Sequence, residues 1–226
     1  MTGKALFVTA SGTGVGKTYV AAALAKALAA KGKPVTVLKP VISGFTWAEA
    51  AASDTALLLQ AAGIRPTRKA IEAASPWRFR APLAPDMAAA REGRALDFKA
   101  LVEFCRTAQE TADGLLLIEG VGGVMAPLDE SRTVLDWMAA LEVPVLVVAG
   151  SYLGAISYAL TAVEVLQSRG VGIAGVVVDE SEGSGVPLDD TCATLKRFLP
   201  GLKLAAVKRD ARPAEVLSAL AGVSGF

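Results

Sequence analysis

The chain has 226 residues, 23 Lys and Arg against 22 Asp and Glu, a net charge of +1, and 53% apolar residues. That is enough for one sizeable α/β domain, and the neutral balance offers neither a nucleic-acid groove nor an attraction to anionic membranes. It contains no histidine, which excludes Ser-His-Asp and Cys-His catalysis and His-ligated zinc.

In chain order, the first element is an apolar strand, Ala5 to Thr9, leading into Gly12-Thr13-Gly14-Val15-Gly16-Lys17-Thr18 and an alanine-rich helix. Strand, glycine-rich turn, Lys-Thr and helix form a cradle for nucleotide phosphates, because successive N–H groups and the helix N-terminus face the anion. In such a loop Lys17 reaches the terminal phosphates and Thr18 ligates Mg²⁺. Ser11 stands where the strict motif has its first glycine, so the loop is a modified one. Val35 to Leu38 reads as the second strand and is followed by Lys39-Pro40-Val41-Ile42-Ser43-Gly44. A lysine at that strand end could stabilise a transferring phosphoryl group, or simply face solvent.

Residues 44–100 are punctuated by Pro66, Pro76, Pro82 and Pro85, with one helix expected over Ala48 to Ala62. They read as an excursion over the carboxyl edge of a sheet. Asp54, near that helix's start, reads by spacing alone as an N-cap carboxylate. Leu115 to Ile118 is a third strand, closed by Glu119-Gly120-Val121-Gly122-Gly123. A carboxylate ending an apolar strand suits a Mg²⁺–nucleotide site, and the glycines let main chain approach a substrate.

Val134 to Leu141 reads as a helix, Val143 to Val148 as the fourth strand, and Ser151 to Tyr158 as a helix start able to hold a carboxylate. Ile173 to Val178 and Leu204 to Val207 are the remaining strands, and the acidic Asp179 to Asp190 reads as a mobile loop. Continuous apolar strands separated by helices predict a single domain over 1–226: a doubly wound, mostly parallel sheet flanked by helices, of the P-loop NTPase type. Cys105 and Cys192 lack metal-ligand spacing and read as inert thiols of a reducing cytosol. Neither a signal peptide nor a transmembrane run is present, so a cytoplasmic protein is expected.

Together these segments resemble dethiobiotin synthetase. The likeness rests on Val8 to Thr18, Lys39-Pro40-Val41 with Ser43-Gly44, Ser53-Asp54, Pro82 with Ala84-Pro85, Glu119 to Gly123, and Leu153-Gly154 with Ile156. The resemblance implies that 7,8-diaminopelargonate, CO₂ and Mg-ATP give dethiobiotin, ADP and phosphate through a carbamate and a carbamic-phosphoric anhydride. It implies a homodimer that binds the substrate tail across its interface.

By position, it implies that Gly12, Thr13, Gly14, Val15, Gly16, Lys17 and Thr18, with Glu119, Gly122 and Asp179, hold the nucleotide. Thr18, Asp54 and Glu119 would gather Mg²⁺. Thr13, Lys39 and Ser43, with Gly120, Gly122, Leu153, Gly154 and Ser157, would hold the substrate, and Lys39, Lys17, Thr13 and Ser43 would carry the catalysis. The chain departs from the family at Ser157-Tyr158, where Asn-His is usual, at Asp86 in place of a His, and at Asp179 in place of a base-reading Asn. An ionised Asp only accepts hydrogen bonds, whereas Asn also donates, so relaxed base selection is expected. Two other readings share the phosphate loop. A partitioning or division-site nucleotide switch has a signature lysine where Gly12 stands, and the cobyrinate amidase synthetase carries a further domain with Cys and His.

Overall fold

A computed structural model of the chain describes residues 4–209, 211, 215–216 and 218–220. Six strands form one sheet: β1 (Lys4–Ala10), β2 (Val35–Leu38), β5 (Leu115–Glu119), β6 (Val145–Gly150), β7 (Ile173–Asp179) and β8 (Leu204–Val207). Their spatial order is β2-β5-β1-β6-β7-β8 and every pairing is parallel. The central strands are Val- and Leu-rich and buried on both faces, as a parallel sheet covered by helices requires. The expected sheet is therefore present, and its strands end near the expected residues. The fourth strand is displaced, Val145–Gly150 against an expected Val143 to Val148, because Pro144 has no N–H for the ladder. Its carbonyl instead accepts from the Phe7 N–H at 3.0 Å.

Helix α1 (Lys17–Ala30) buries Val20, Ala21, Leu24, Ala25 and Leu28 against the sheet, at the spacing of one helical face. Gly16 precedes it at φ 85, a backbone state that suits glycine. Helix α6 (Val134–Leu141) matches the expected span and opens with a capping box between Thr133 and Asp136.

The excursion differs most from its reading. Instead of one helix over Ala48 to Ala62 there is a 3₁₀ turn, Ala50–Ala52, and then α2 (Asp54–Ala61). Ser53 separates them at φ −68, ψ 153; its Oγ accepts from the Ala56 N–H at 3.3 Å and donates to the Ala50 carbonyl at 2.7 Å. Ser53, not Asp54, is the cap. After it come α3 (Arg68–Ala74), α4 (Pro85–Arg91) and α5 (Phe98–Thr111), while β3 (Val41–Ile42) and β4 (Trp77–Arg78) pair in a small parallel sheet of their own.

The last of these helices before β5, α5, turns Leu101, Val102 and Cys105 into the core. Helix α7 (Ala155–Ser168) follows β6, and α8 (Leu188–Phe198) begins inside the expected acidic loop. Asp189 and Asp190 fall in the first turn of α8, where negative charge favours a helix. Among the described residues no helix is long and apolar enough to cross a membrane.

Beneath the phosphate loop, Phe7 of β1 meets Trp137 of α6 edge to face, ring centroids 4.8 Å apart, and both are fully buried. The Phe7 ring also lies so close to Gly120 that a Cβ there would come within 2.8 Å of it. Replacing Phe7 by Ala should cost about 3–5 kcal/mol of stability, read as a lowered midpoint in urea unfolding with an unchanged slope.

Candidate active site

The register of the sheet brings two charged side chains face to face. Leu38 of β2 pairs with Ile118 of β5, so the next residues, Lys39 and Glu119, leave adjacent strands side by side. Val8 of β1 pairs with Glu119 and continues into the phosphate loop. Lys39 is 2% exposed and Glu119 is 0% exposed. The Lys39 ammonium donates to Glu119 Oε1 at 2.5 Å and to the Gly120 carbonyl at 2.9 Å. Its third partner is Asp54 Oδ2 at 3.2 Å, carried by the first turn of α2. Thr18 Oγ1 donates to the same Glu119 oxygen at 2.7 Å.

Thr18, Lys39, Asp54 and Glu119 are thus gathered at one point, and the solvent-facing alternative for Lys39 is excluded. Burial by itself would push the Lys39 pKa down, but the charges of Glu119 and Asp54 outweigh it and hold the pKa above its ordinary value. Lys17 is in the opposite position. Burial, with Lys39 nearby, lowers its pKa to about 8 despite the pull of Glu119 and Asp54. A cradle whose own lysine is poorly compensated is built to receive an anion.

Above this cluster lies a cleft of about 620 Å³, large enough for a nucleotide with a small partner. Thr13, Gly14, Gly16, Lys17 and Thr18 form one wall, and Lys39, Ser43 and Asp54 another. The cleft is closed by Pro82 to Pro85 and by Val121 to Gly123. Ser43 Oγ is buried there without a hydrogen-bond partner, as is the second oxygen of Glu119. Gly123 packs on the loop so closely that a Cβ would lie 3.3 Å from the Gly12 Cα, so this glycine seats the phosphate loop on the end of β5.

Gly12 and Val15 do not line the cleft, and Val15 is buried in the core. Gly120 and Glu119 lie behind Lys39. Leu153, Gly154 and Ser157 are likewise not brought to it within one copy. Leu153 is 91% exposed and Tyr158 55% exposed, an apolar pair at the start of α7. Tyr19, on the first turn of α1, lines the cleft and had no signal in the sequence beyond its place after Thr18. Among the described residues no group of three or more acidic, Cys or His side chains forms a metal cluster. Both thiols are protonated at neutral pH, since burial pushes Cys105 up to about 12 and Cys192 up to about 11.

The AAA domain family matches residues 4–211. The chain is 49% identical over 217 residues to the ATP-dependent dethiobiotin synthetase BioD of Methylobacterium nodulans, covering 94% of this chain and 96% of that one. It is 50% identical over 196 residues to the protein of the same name from Caulobacter vibrioides, covering 86% and 88%. The chain belongs to the dethiobiotin synthetase family. Among solved structures, its fold is similar to that of the septum site-determining protein MinD from Pyrococcus horikoshii, with TM-score 0.54 and 16% identity over 96% of this chain and 86% of that one. At that identity the likeness shows only that this synthetase shares the P-loop NTPase fold.

Within the synthetase, Asp179 ends β7 and presses on the phosphate loop: a Cβ built on Gly16 would fall 2.0 Å from Asp179 Oδ2. Its other oxygen is buried without a partner. Burial raises its pKa from 3.8 to about 6, against the pull of Arg209. A carboxyl that titrates higher in the folded chain than in the unfolded one costs nothing below pH 4. It destabilises increasingly as the pH rises toward 6, and fully above that. Asp179→Asn should therefore melt at a higher temperature than the wild type at pH 8, and the two curves should converge near pH 4 in a thermal scan across pH.

Proposed function

We propose that this chain, acting as one domain, forms dethiobiotin from 7,8-diaminopelargonate, CO₂ and ATP, with ADP and phosphate as the other products. Family membership supports the reaction. The observation that carries the site assignment is the buried Lys39 ammonium, held between Glu119 at 2.5 Å and Asp54 at 3.2 Å on the floor of the phosphate-loop cleft.

In this reading one substrate amine adds to CO₂ and gives a carbamate. A carbamate oxygen attacks the γ-phosphorus and ADP leaves with the electrons of the broken bond. The second amine then attacks the carbonyl carbon of the mixed anhydride, phosphate leaves, and the ring closes. The protein's part is to orient reactants and neutralise charge, which needs no imidazole. Lys17, Thr13 and the loop N–H groups hold the phosphates.

Lys39 and Ser43 face the carbamate and the charge that develops on transfer. Thr18, Asp54 and Glu119 fit Mg²⁺: all three donors are oxygens, and one Glu119 oxygen is buried without a partner. When bound there, the ion would offset the charge of the β- and γ-phosphates.

The exposed Leu153 and Tyr158 support a homodimer that takes the substrate tail against Leu153, Gly154 and Ser157. The reaction is placed in the cytoplasm in this reading, in keeping with two protonated, unpaired thiols. Base selection is relaxed in this reading, since Asp179 can accept but not donate when ionised.

Purified protein given the diamine, bicarbonate, Mg²⁺ and each nucleoside triphosphate should form dethiobiotin. Phosphate release that ignores the diamine would sink the reading, and turnover confined to ATP would remove the relaxed base choice alone. Lys39→Ala should lower kcat by orders of magnitude while ATP binding changes far less, because the ammonium acts on charge that appears during transfer. Equal losses in kcat and ATP affinity would make Lys39 a ground-state contact. That assay is run below the variant's own melting temperature, because Glu119 then lacks its counter-charge.

A further inference from the structure

Lys39 is the residue at which the chain leaves the main sheet. Leu38 is the last residue of β2 in register, and Val41 is the first paired with β4. Between them the main chain is held from the side. The Lys39 N–H donates to the Ala74 carbonyl at 3.1 Å, and the Pro40 carbonyl accepts from the Trp77 N–H at 3.0 Å. The Lys39 carbonyl accepts from Ser75 Oγ at 2.6 Å. Ser75 Oγ lies in turn 2.6 Å from Thr55 Oγ1. A hydroxyl has one proton, and that of Ser75 is committed to Lys39, so Thr55 is the donor of this pair. Ser75 is 0% and Thr55 1% exposed.

Thr55 follows Asp54 directly in α2. A closed loop of interactions results: from Lys39 main chain through Ser75 and Thr55 to α2, then back through the Asp54 carboxylate to the Lys39 ammonium. Arg78 donates to the Ser75 carbonyl from the far side and fixes that residue at the end of α3.

We propose that Ser75 and Thr55 are positioning residues of the synthetase reaction: their buried hydroxyl pair fixes where Lys39 and Asp54 stand relative to each other. This rests on the role given to Lys39 above. Apolar side chains at these positions would fill the space but deprive the Lys39 carbonyl of the Ser75 hydroxyl and cut the direct link from it to α2. A buried pair of hydroxyls restricts direction as well as distance, and small displacements of a charged group that acts in a transition state are costly to rate.

The test uses the full chain with diamine, bicarbonate and Mg-ATP. Ser75→Ala should lower kcat roughly 10- to 100-fold while the KM for ATP stays close to wild type. Thr55→Val keeps the volume but removes the donor and should lose roughly three- to tenfold in kcat, the rate equivalent of about one neutral hydrogen bond. Thr55→Ser, which restores the donor, should return kcat to near the wild-type value. If Ser75→Ala does not fold, the Thr55 pair decides. Wild-type kcat in Thr55→Val, or equal losses in Thr55→Val and Thr55→Ser, overturns the proposal and leaves the synthetase reading standing. A wild-type protein that makes no dethiobiotin removes both.

Discussion

The buried ion pair between Lys39 and Glu119 is the constraint around which the active-site half of the molecule is organised. Two charges at such depth are tolerated only because each satisfies the other. Removing either partner strands a charge, a loss of about 3–5 kcal/mol in comparable buried pairs. Their meeting depends on the parallel register of β2 against β5, since a slip of one residue would send one of the two side chains to the opposite face. The excursion between them then brings Asp54 from above and closes the cluster.

Two lysines in this cleft illustrate how environment divides labour without histidine. Lys39 is surrounded by acceptors and stays charged at any physiological pH. Lys17 has little compensation and gives up its proton near pH 8. In the proposed reading an incoming triphosphate supplies what Lys17 lacks, and Lys39 acts on charge that develops during transfer.

Strands were legible because a parallel sheet buried on both faces writes itself as unbroken apolar runs, and β2, β5, β7 and β8 lie close to where those runs fall. The phosphate loop and the strand-end carboxylate Glu119 were legible from order and spacing, whereas Lys39 by spacing alone could equally have faced solvent. What escaped has physical reasons. The break at Ser53 turns on one side chain choosing a neighbouring N–H, a local competition that alanine-rich flanks conceal. The two-residue strands β3 and β4 are too short to show a period. Ser75 and Thr55 are small polar residues 20 positions apart, and only the fold makes them a pair. Asp54 was visible as a helix-start residue, yet its attachment to Lys39 needed the same three-dimensional return.

The order of the sheet has a bearing on how the chain comes into being. Strand β5 lies between β2 and β1, so the first two strands to leave the ribosome have no contact along their edges until a segment about 75 residues farther on slots between them. Until then the phosphate loop, α1 and Lys39 belong to a half-built framework whose apolar edges are unpaired, the condition in which nascent α/β proteins are prone to aggregate. The insertion of β5 joins those edges and, in the same event, delivers Glu119 to Lys39. The meeting of Lys39 with Glu119 and the covering of the facing edges of β1 and β2 therefore arrive together, while the other edge of β1 waits for β6.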